Sequence, residues 1–232
     1  MPARSHDVTL TCPCGESFTA TVYSAVNVTL EPRLLYRLLA GQLNVATCPN
    51  CGRQVETAQP FVYHDMRRGL FAYVYPTSDV EPEDRDAVLK SVRRAYVRAV
   101  EESDRIAQPP ASRSQRAAEL PHPRVRRRSP ADDIEAAMEP HAPPMQVIFG
   151  VPELAALVES LLEPEEKLAR VALTARGAGD AERARLRAIA TRMAEQLQCE
   201  TQVEEDGGEY TVWIYGPRGG VKAIAQALNA SQ

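Results

Sequence analysis

The sequence is short of several features that mark particular classes of protein. Of its 27 basic residues only three are lysines (Lys90, Lys167 and Lys222), and it has a single tryptophan. No apolar run approaches the ~20 residues that a membrane span requires. The first residues, MPARSHDVTLTC, lack the apolar central region of a signal peptide. These absences argue against a membrane protein or a secreted protein, and we expect a cytoplasmic one.

An excess of one charge is also missing. The net charge is −4, from 27 basic and 31 acidic residues, so bulk attraction to a polyanion is not expected. The preference for arginine, together with many alanines and prolines, is typical of a GC-rich bacterial genome. A length of 232 residues with 44% hydrophobic residues allows one or two globular domains with real cores.

Four of the five cysteines lie in two short motifs, and Cys199 stands apart. The motifs are Cys12-Pro-Cys14-Gly15 and Cys48-Pro-Asn-Cys51-Gly52, each between strand-like segments. A Cys-x-x-Cys-Gly turn supplies two of the four thiolates of a structural zinc site, and its glycine tolerates the positive φ that follows. The first motif is one residue shorter, although glycine follows there too. Without a secretion signal, this pattern favours a metal over disulfides.

Two other roles remain open for these cysteines. They can be buried apolar residues, although two matched turns in one domain are unusual for that role. They can also act as redox groups, but redox pairs commonly begin a helix, whereas glycine and a strand-like segment follow Cys51. Catalytic zinc is disfavoured because a shell of four thiolates leaves no position for water or substrate.

Several segments of the first region carry a resemblance to a known family. They are Cys12-Pro-Cys14-Gly15, Asn27-Val28, PRLLYRLLAGQLNVATCPNCG and PFVYHD at residues 60–65. On these segments residues 8–75 resemble the CpXC domain family of bacteria and archaea, which is defined by two such cysteine motifs. The resemblance covers at most the first 105 residues and constrains the molecular role very little. It implies a structural zinc site, with the ligands Cys12, Cys14, Cys48 and Cys51.

We predict an α+β chain in three parts. Residues 1–105 form a small zinc-ribbon-like β domain with helices, the longest at residues 82–105. Residues 106–144 are rich in Pro, Ser, Ala and charge, and they are predicted to form a disordered linker. Residues 145–232 form a second small α+β sandwich with a hairpin that turns at Gly207-Gly208. Its clearest helix is predicted to carry one apolar stripe of Leu186, Ile189, Ala190, Met193, Ala194 and Leu197.

Two segments are candidates for partner contacts. Phe71, Tyr73 and Tyr75 share one face of a predicted strand, and a small domain has difficulty burying both faces of such a strand. Alternatively, the helix at residues 82–105 covers that face. The second segment is RVRRRSP, which is either a solvated linker or a contact for phosphate or an acidic partner. Its arginines are Arg124, Arg126, Arg127 and Arg128.

Three further features have a functional and a structural interpretation. His64-Asp65 can be an acid/base pair or a spare metal ligand, but we favour a role in pinning a turn. YGPRGGVKA, at residues 215–223, can hold an anion at a helix start, although an ordinary strand-to-helix turn fits better. Cys199 ends an amphipathic helix, and we expect it to be packed rather than reactive.

No set of nucleophile, base and orienting group is found in the sequence, and no complete cofactor fingerprint. We therefore expect a non-enzymatic, zinc-binding regulatory or protein-interaction protein whose two modules are joined by a flexible linker. Two alternatives remain. One is a nucleic-acid-associated regulator that uses the zinc module and the arginine-rich linker. The other is a signalling adaptor that modulates another enzyme, such as a small GTPase or a kinase.

Overall fold

The computed structural model describes residues 2–107 and 144–230. They belong to two compact units, one made of residues 1–79 with 148–232 and the other of residues 80–147. Helices and mixed sheets are both present, which confirms the predicted α+β class. No helix among the described residues combines the length and the apolar character needed to cross a membrane.

The first sheet has five strands in the order β1-β2-β5-β6-β7. Strands β1 and β2 are antiparallel, β2 and β5 are parallel, and β5 and β6 are antiparallel. A parallel pair needs a long crossover, and here the crossover contains helix α1 (Arg33–Leu39) and a short hairpin of β3 (Val45–Thr47) and β4 (Gln54–Glu56). The bounds are β1 Arg4–Thr11, β2 Ser17–Asn27, β3 Val45–Thr47, β4 Gln54–Glu56, β5 Phe61–Asp65, β6 Leu70–Tyr75 and β7 Gln146–Phe149.

One face of this sheet is buried under two helices, α1 (Arg33–Leu39) and α3 (Val151–Ser160). Helix α1 begins after Pro32, whose fixed φ suits a helix start, and it ends before Gly41, which has φ +69°. Alternation along β6 places Leu70, Ala72 and Val74 in this core. The helices contribute Leu34, Leu35, Tyr36, Leu38, Leu154 and Val158.

The second sheet has three antiparallel strands in the order β8-β10-β9. They are β8 (Leu168–Arg176), β9 (Glu200–Asp206) and β10 (Glu209–Pro217), and they pack against α4 (Asp180–Gln196) and α5 (Arg218–Ala230). The β9–β10 hairpin turns at Gly207 and Gly208, as predicted. Both glycines have positive φ, +54° and +83°, as a tight two-residue hairpin requires.

The core beneath α4 differs from the predicted stripe. Ala190 and Ala194 are buried, and Leu186 and Met193 are partly buried. Ile189 and Leu197, which were predicted to lie on the same stripe, are 43% and 36% exposed. The helix meets the sheet through small residues, so its contact with the sheet is narrower than the apolar pattern indicated.

The second unit is described at residues 80–107, which contain helix α2 (Pro82–Ala107), and at residues 144–147. Glu83 and Asp84 lie in its first turn, where carboxylates suit the positive end of the helix dipole. The predicted helix at residues 82–105 is therefore present and slightly longer. The predicted linker at residues 106–144 lies almost entirely outside the described residues.

The segment after residue 145 does not open the second sandwich. Strand β7 joins the edge of the first sheet beside β6, and α3 packs in the core of the first sheet. The second sandwich begins at β8. A short apolar strand pattern cannot specify which sheet edge it joins, so the sequence placed this strand in the wrong sheet. The domain boundaries at residues 105 and 145 themselves stay a prediction.

Candidate metal centre

The first cysteine motif forms the turn between β1 and β2. The N–H of Cys12 donates to the carbonyl of Glu16 at 2.8 Å, and the N–H of Gly15 donates back to the carbonyl of Cys12 at 2.8 Å. Gly15 has φ +92°, a conformation that residues with a Cβ rarely adopt. The turn therefore holds Cys12 and Cys14 at the tip of the hairpin.

The second motif repeats this arrangement between β3 and β4. The N–H of Cys48 donates to the carbonyl of Arg53 at 2.8 Å, and the N–H of Gly52 donates to the carbonyl of Cys48 at 2.9 Å. Gly52 has φ +71°. Two hairpins thus present equivalent turns, and we call β1–β4 with their four cysteines the ribbon module.

A side chain that the sequence analysis missed ties these two hairpins together. The amide of Asn44 accepts from the N–H of Tyr23 at 2.7 Å and donates to its carbonyl at 3.0 Å, as a paired strand residue would. Asn44 is buried and has φ +57°, a region in which asparagine is enriched. The sequence signal was an asparagine directly before a strand, but its partner lies 21 residues away.

The four sulfur atoms converge, and every pair of them lies within 4.8 Å. The Sγ atoms of Cys12 and Cys51 are 3.6 Å apart, and those of Cys14 and Cys48 are 3.7 Å apart. A tetrahedron with Zn–S bonds of ~2.3 Å has S···S edges of about 3.8 Å. All five cysteines of the chain are free, and these separations are far above the ~2.05 Å of a disulfide. The spacing fits a four-thiolate metal centre.

The thiols differ strongly in their affinity for protons. A hydrogen bond from the backbone of Glu16 is the main cause that lowers the pKa of Cys14 to about 6, and a hydrogen bond with the Cys12 thiol contributes in the same direction. For Cys12, a hydrogen bond from the backbone of Cys14 acts in the same direction, but burial and the neighbouring thiols outweigh it and raise the pKa to about 12. The thiol of Cys14 therefore ionises readily, and the resulting negative charge disfavours ionisation of the neighbouring Cys12 thiol, as expected for anions held close together. A bound cation removes that conflict.

One side of the centre is more open than the other. Cys12 and Cys48 are buried, whereas Cys14 and Cys51 are exposed. The side-chain amide of Asn50 lies 3.8 Å from the Sγ of Cys14 and donates to it. The buried pair anchors the centre to the ribbon module, and the exposed pair faces solvent.

Together the two hairpins and the four converging thiols define a class, the ribbon-type proteins with four cysteines placed to hold a metal ion. A family model described as CpXC protein matches residues 10–134, more than half of the 232 residues. The chain belongs to the CpXC family. The match extends past residue 105, and the described residues 144–230 lie outside it. A search of the curated proteins found no match to the chain, and a search of the solved structures found none either.

The predicted aromatic contact residues share one face of β6. Phe71, Tyr73 and Tyr75 are all partly exposed. Phe71 packs edge-on against His64 with ring centroids 5.6 Å apart, and Tyr75 lies 5.7 Å from Phe149. Their alternation with the buried residues of β6 is as the sequence indicates, and their role in binding stays a prediction. The arginines of the other candidate segment, at residues 124–128, lie outside the described part of the chain.

His64 and Asp65 do not join the cysteine cluster. Asp65 accepts from the N–H groups of Arg67 and Arg68 at 3.1 and 3.3 Å and so caps the single 3-10 turn that separates β5 from β6. It also binds the guanidinium of Arg68. These contacts agree with the interpretation of Asp65 as a residue that pins a turn.

The two remaining candidates have structural contacts. At the start of α5 the N–H groups of Arg218 and Gly219 donate to the carbonyls of Lys167 and Glu165, so these donors are not free for an anion. Cys199 is 1% exposed, and burial raises the pKa of its thiol to about 11. Its Sγ lies only 2.6 Å from where a Cβ on Gly216 would stand. Gly216 therefore permits a close packing contact.

Proposed function

We propose that this chain is a non-enzymatic, zinc-stabilised protein-interaction or regulatory protein. The observation that carries the proposal is the convergence of Cys12, Cys14, Cys48 and Cys51 at the spacing of a tetrahedral thiolate site. Zinc is the ion that such sites most often take, because thiolate ligands and tetrahedral geometry suit it. Four free thiols also suit a reducing compartment such as the cytoplasm.

The metal would have a structural purpose in the ribbon module. Strands β3 and β4 have three residues each, and a hairpin that short is not stable alone in water. Each hairpin contributes two thiols, so a shared ion would cross-link β1–β2 to β3–β4. Folding free energy of the module would then depend on metal binding.

Two features favour a binding role over catalysis. Four thiolates fill the tetrahedral shell and leave no ligand position for water or substrate. Asp65, the most conspicuous buried carboxylate, is fully used in capping a turn and in binding Arg68. We therefore assign a structural role to the cysteine cluster and expect the protein to act by binding a partner at its surface.

The aromatic face of β6 is the proposed partner contact. Tyr73 pairs with Val62 across the sheet, and Val62 pairs with Ala25, so an apolar row runs across three strands. Burial raises the pKa of Tyr73, with Tyr75 adding to the shift. Tyrosines that expose both ring and hydroxyl are favoured anchors in protein interfaces.

Recovery of a partner from the native host tests this assignment. The variant Tyr73→Ala/Tyr75→Ala should lose the partner while zinc content and thermal stability change little. Tyr73→Phe/Tyr75→Phe, which keeps both rings, serves as the matched control and should retain most of the binding. If the alanine variant unfolds, the tyrosines belong to the core. If it folds and still recovers the partner, the contact lies elsewhere.

A further inference from the structure

The second sheet has helices α4 and α5 on one face, and the opposite face is exposed at Ala172, Thr174 and Glu204, whereas its end at Tyr215 is buried in the core of the first sheet. Tyr210, Val212 and Ile214 alternate toward α4 and α5 and are buried. Thr211 and Trp213 point the opposite way and are partly exposed. Trp213 is the only tryptophan of the chain. A partly exposed indole offers a partner both an apolar ring and a polar N–H.

The strand register defines the chemistry around this indole. Across β10, Thr211 lies between Thr174 and Glu204, and Glu209 lies between Arg176 and Asp206. We call this surface the open face, and it consists of Ala172, Thr174, Arg176, Gln202, Glu204, Asp206, Glu209, Thr211 and Trp213. It holds three carboxylates and the guanidinium of Arg176, and the exposed Arg170 follows Ala172 on the same side of β8, so the charge of the surface is −1 with both arginines counted.

The indole is held beside a carboxylate. Trp213 Nε1 donates to Glu204 Oε2 at 2.7 Å, and this hydrogen bond holds the partly exposed ring beside the carboxylate. A guanidinium stacks on an indole face and binds a carboxylate in the same plane more readily than other side chains do. Trp213 and Glu204 together therefore suit an arginine side chain.

The neighbouring strand offers a backbone for pairing. Strand β9 stands at the edge of its sheet, and an edge strand presents unpaired N–H and C=O groups on its outer side. Glu204 and Asp206 project from β9 toward the open face, two residues apart, because successive side chains alternate. A strand added at this edge would present its own alternate residues to the same face.

We propose that the open face binds an extended, arginine-containing peptide segment of a protein partner, which pairs with β9 and places arginines against Trp213, Glu204 and Asp206. This inference rests on the interaction function proposed above and adds a second surface with a stated partner chemistry. The negative charge of the face disfavours a nucleic-acid strand, because phosphates are repelled by carboxylates. It also disfavours a second copy of the same face.

The single tryptophan makes the proposal measurable in the full-length, metal-loaded protein. The probe is a synthetic peptide that alternates arginine with serine and matches the seven residues of β9. We expect saturable change of Trp213 fluorescence and weaker binding as salt is raised. A peptide with glutamate in place of arginine should leave the fluorescence unchanged. Absence of binding by the arginine peptide at low salt would overturn the proposal.

Three variants with predictable signs sharpen the test. Glu204→Gln should weaken binding about fivefold, because it removes one charged partner of the arginine. Arg176→Gln should strengthen binding about twofold, because it removes a cation of the face whose side chain is 85% exposed. Glu205→Gln is the matched control, since Glu205 lies on the same strand but pairs with Arg183 on the helix side. Equal effects of Glu204→Gln and Glu205→Gln would contradict the assigned face.

Other occupants give different results. Concentration-dependent dimers that Trp213→Ala abolishes would assign the face to a second copy and overturn the proposal. A further variant changes the basic segment to glutamine at Arg124, Arg126, Arg127 and Arg128. If this variant binds the peptide more tightly, the chain's own basic segment occupies the open face, and the proposal is overturned. Protein that keeps its zinc and recovers its native partner but does not bind the peptide refutes this inference alone. Unmodified protein that contains no zinc and recovers no partner refutes the proposed function.

Discussion

Arg68 joins two carboxylates that are distant in the sequence. Its Nη1 lies 2.6 Å from Asp65 Oδ2, and its Nη2 lies 2.6 Å from Glu166 Oε2. Asp65 is the last residue of β5 and caps the 3-10 turn that follows, whereas Glu166 precedes β8 in the part of the chain outside the family match. The side chain of Asp65 is 1% exposed and that of Glu166 is 36% exposed. Arg68 therefore neutralises a buried charge and also ties the C-terminal segment to the first sheet.

Replacement of Arg68 by alanine should be costly for this reason. It leaves the buried carboxylate of Asp65 with its two backbone donors but without a counter-charge, which typically costs about 3 kcal/mol. Glu166→Gln breaks only the more exposed pair and should cost about 0.5 kcal/mol. Arg67→Ala, on the same turn with an exposed side chain, should stay within about 0.5 kcal/mol of the wild type.

Urea unfolding of the metal-loaded protein measures these differences, with Trp213 fluorescence and far-UV circular dichroism as probes. A hydrogen bond from Arg68 lowers the pKa of Glu166 below its ordinary 4.5. Its stabilising contribution is therefore present above pH 4.5 and is lost as the pH falls through the lowered pKa. The difference between wild type and Glu166→Gln should shrink accordingly. An Arg68→Ala variant as stable as Arg67→Ala would show that Arg68 is not needed to compensate the buried charge of Asp65.

Three other predictions follow from the packing and the motifs. Cys48→Ser should unfold the ribbon module, since a structural zinc supplies on the order of 10 kcal/mol, and circular dichroism with metal analysis detects the loss. Gly216→Ala should cost about 2 kcal/mol because its Cβ would lie 2.6 Å from Cys199 Sγ, and Cys199→Ala should partly rescue it; additive effects in urea unfolding would contradict the contact. Trypsin should cut first between residues 107 and 144, where the sequence is arginine-rich and poor in apolar residues. The two fragments should co-elute in gel filtration, since residues 1–79 and 148–232 form one unit; separate elution would contradict that packing.

The local turns of the site could be predicted because their signals are local. The glycines after Cys14 and Cys51 predicted a positive φ in each turn, and both glycines have one. The pair Gly207-Gly208 likewise predicted a tight hairpin. Each of these conformations depends on residues next to one another in the sequence, so no knowledge of the packing was needed.

Long-range partners could not be predicted in the same way. Arg68 and Glu166 are 98 residues apart, and nothing in either segment specifies the other. Strand β7 has the same apolar character whichever sheet it joins, so its place beside β6 follows from the open edge there and from the packing of α3. Asn44 depends on the backbone of Tyr23, which the fold alone brings close. These features arise from tertiary packing, which a sequence pattern does not encode.

The zinc content of protein purified without added metal shows whether the four cysteines hold an ion. We predict one zinc ion per chain, because the structure brings Cys12, Cys14, Cys48 and Cys51 together at tetrahedral spacing. Elemental analysis alongside protein quantification gives the ratio. A clearly substoichiometric zinc content in folded protein, with Cys12, Cys14, Cys48 and Cys51 all present as free thiols, would contradict it.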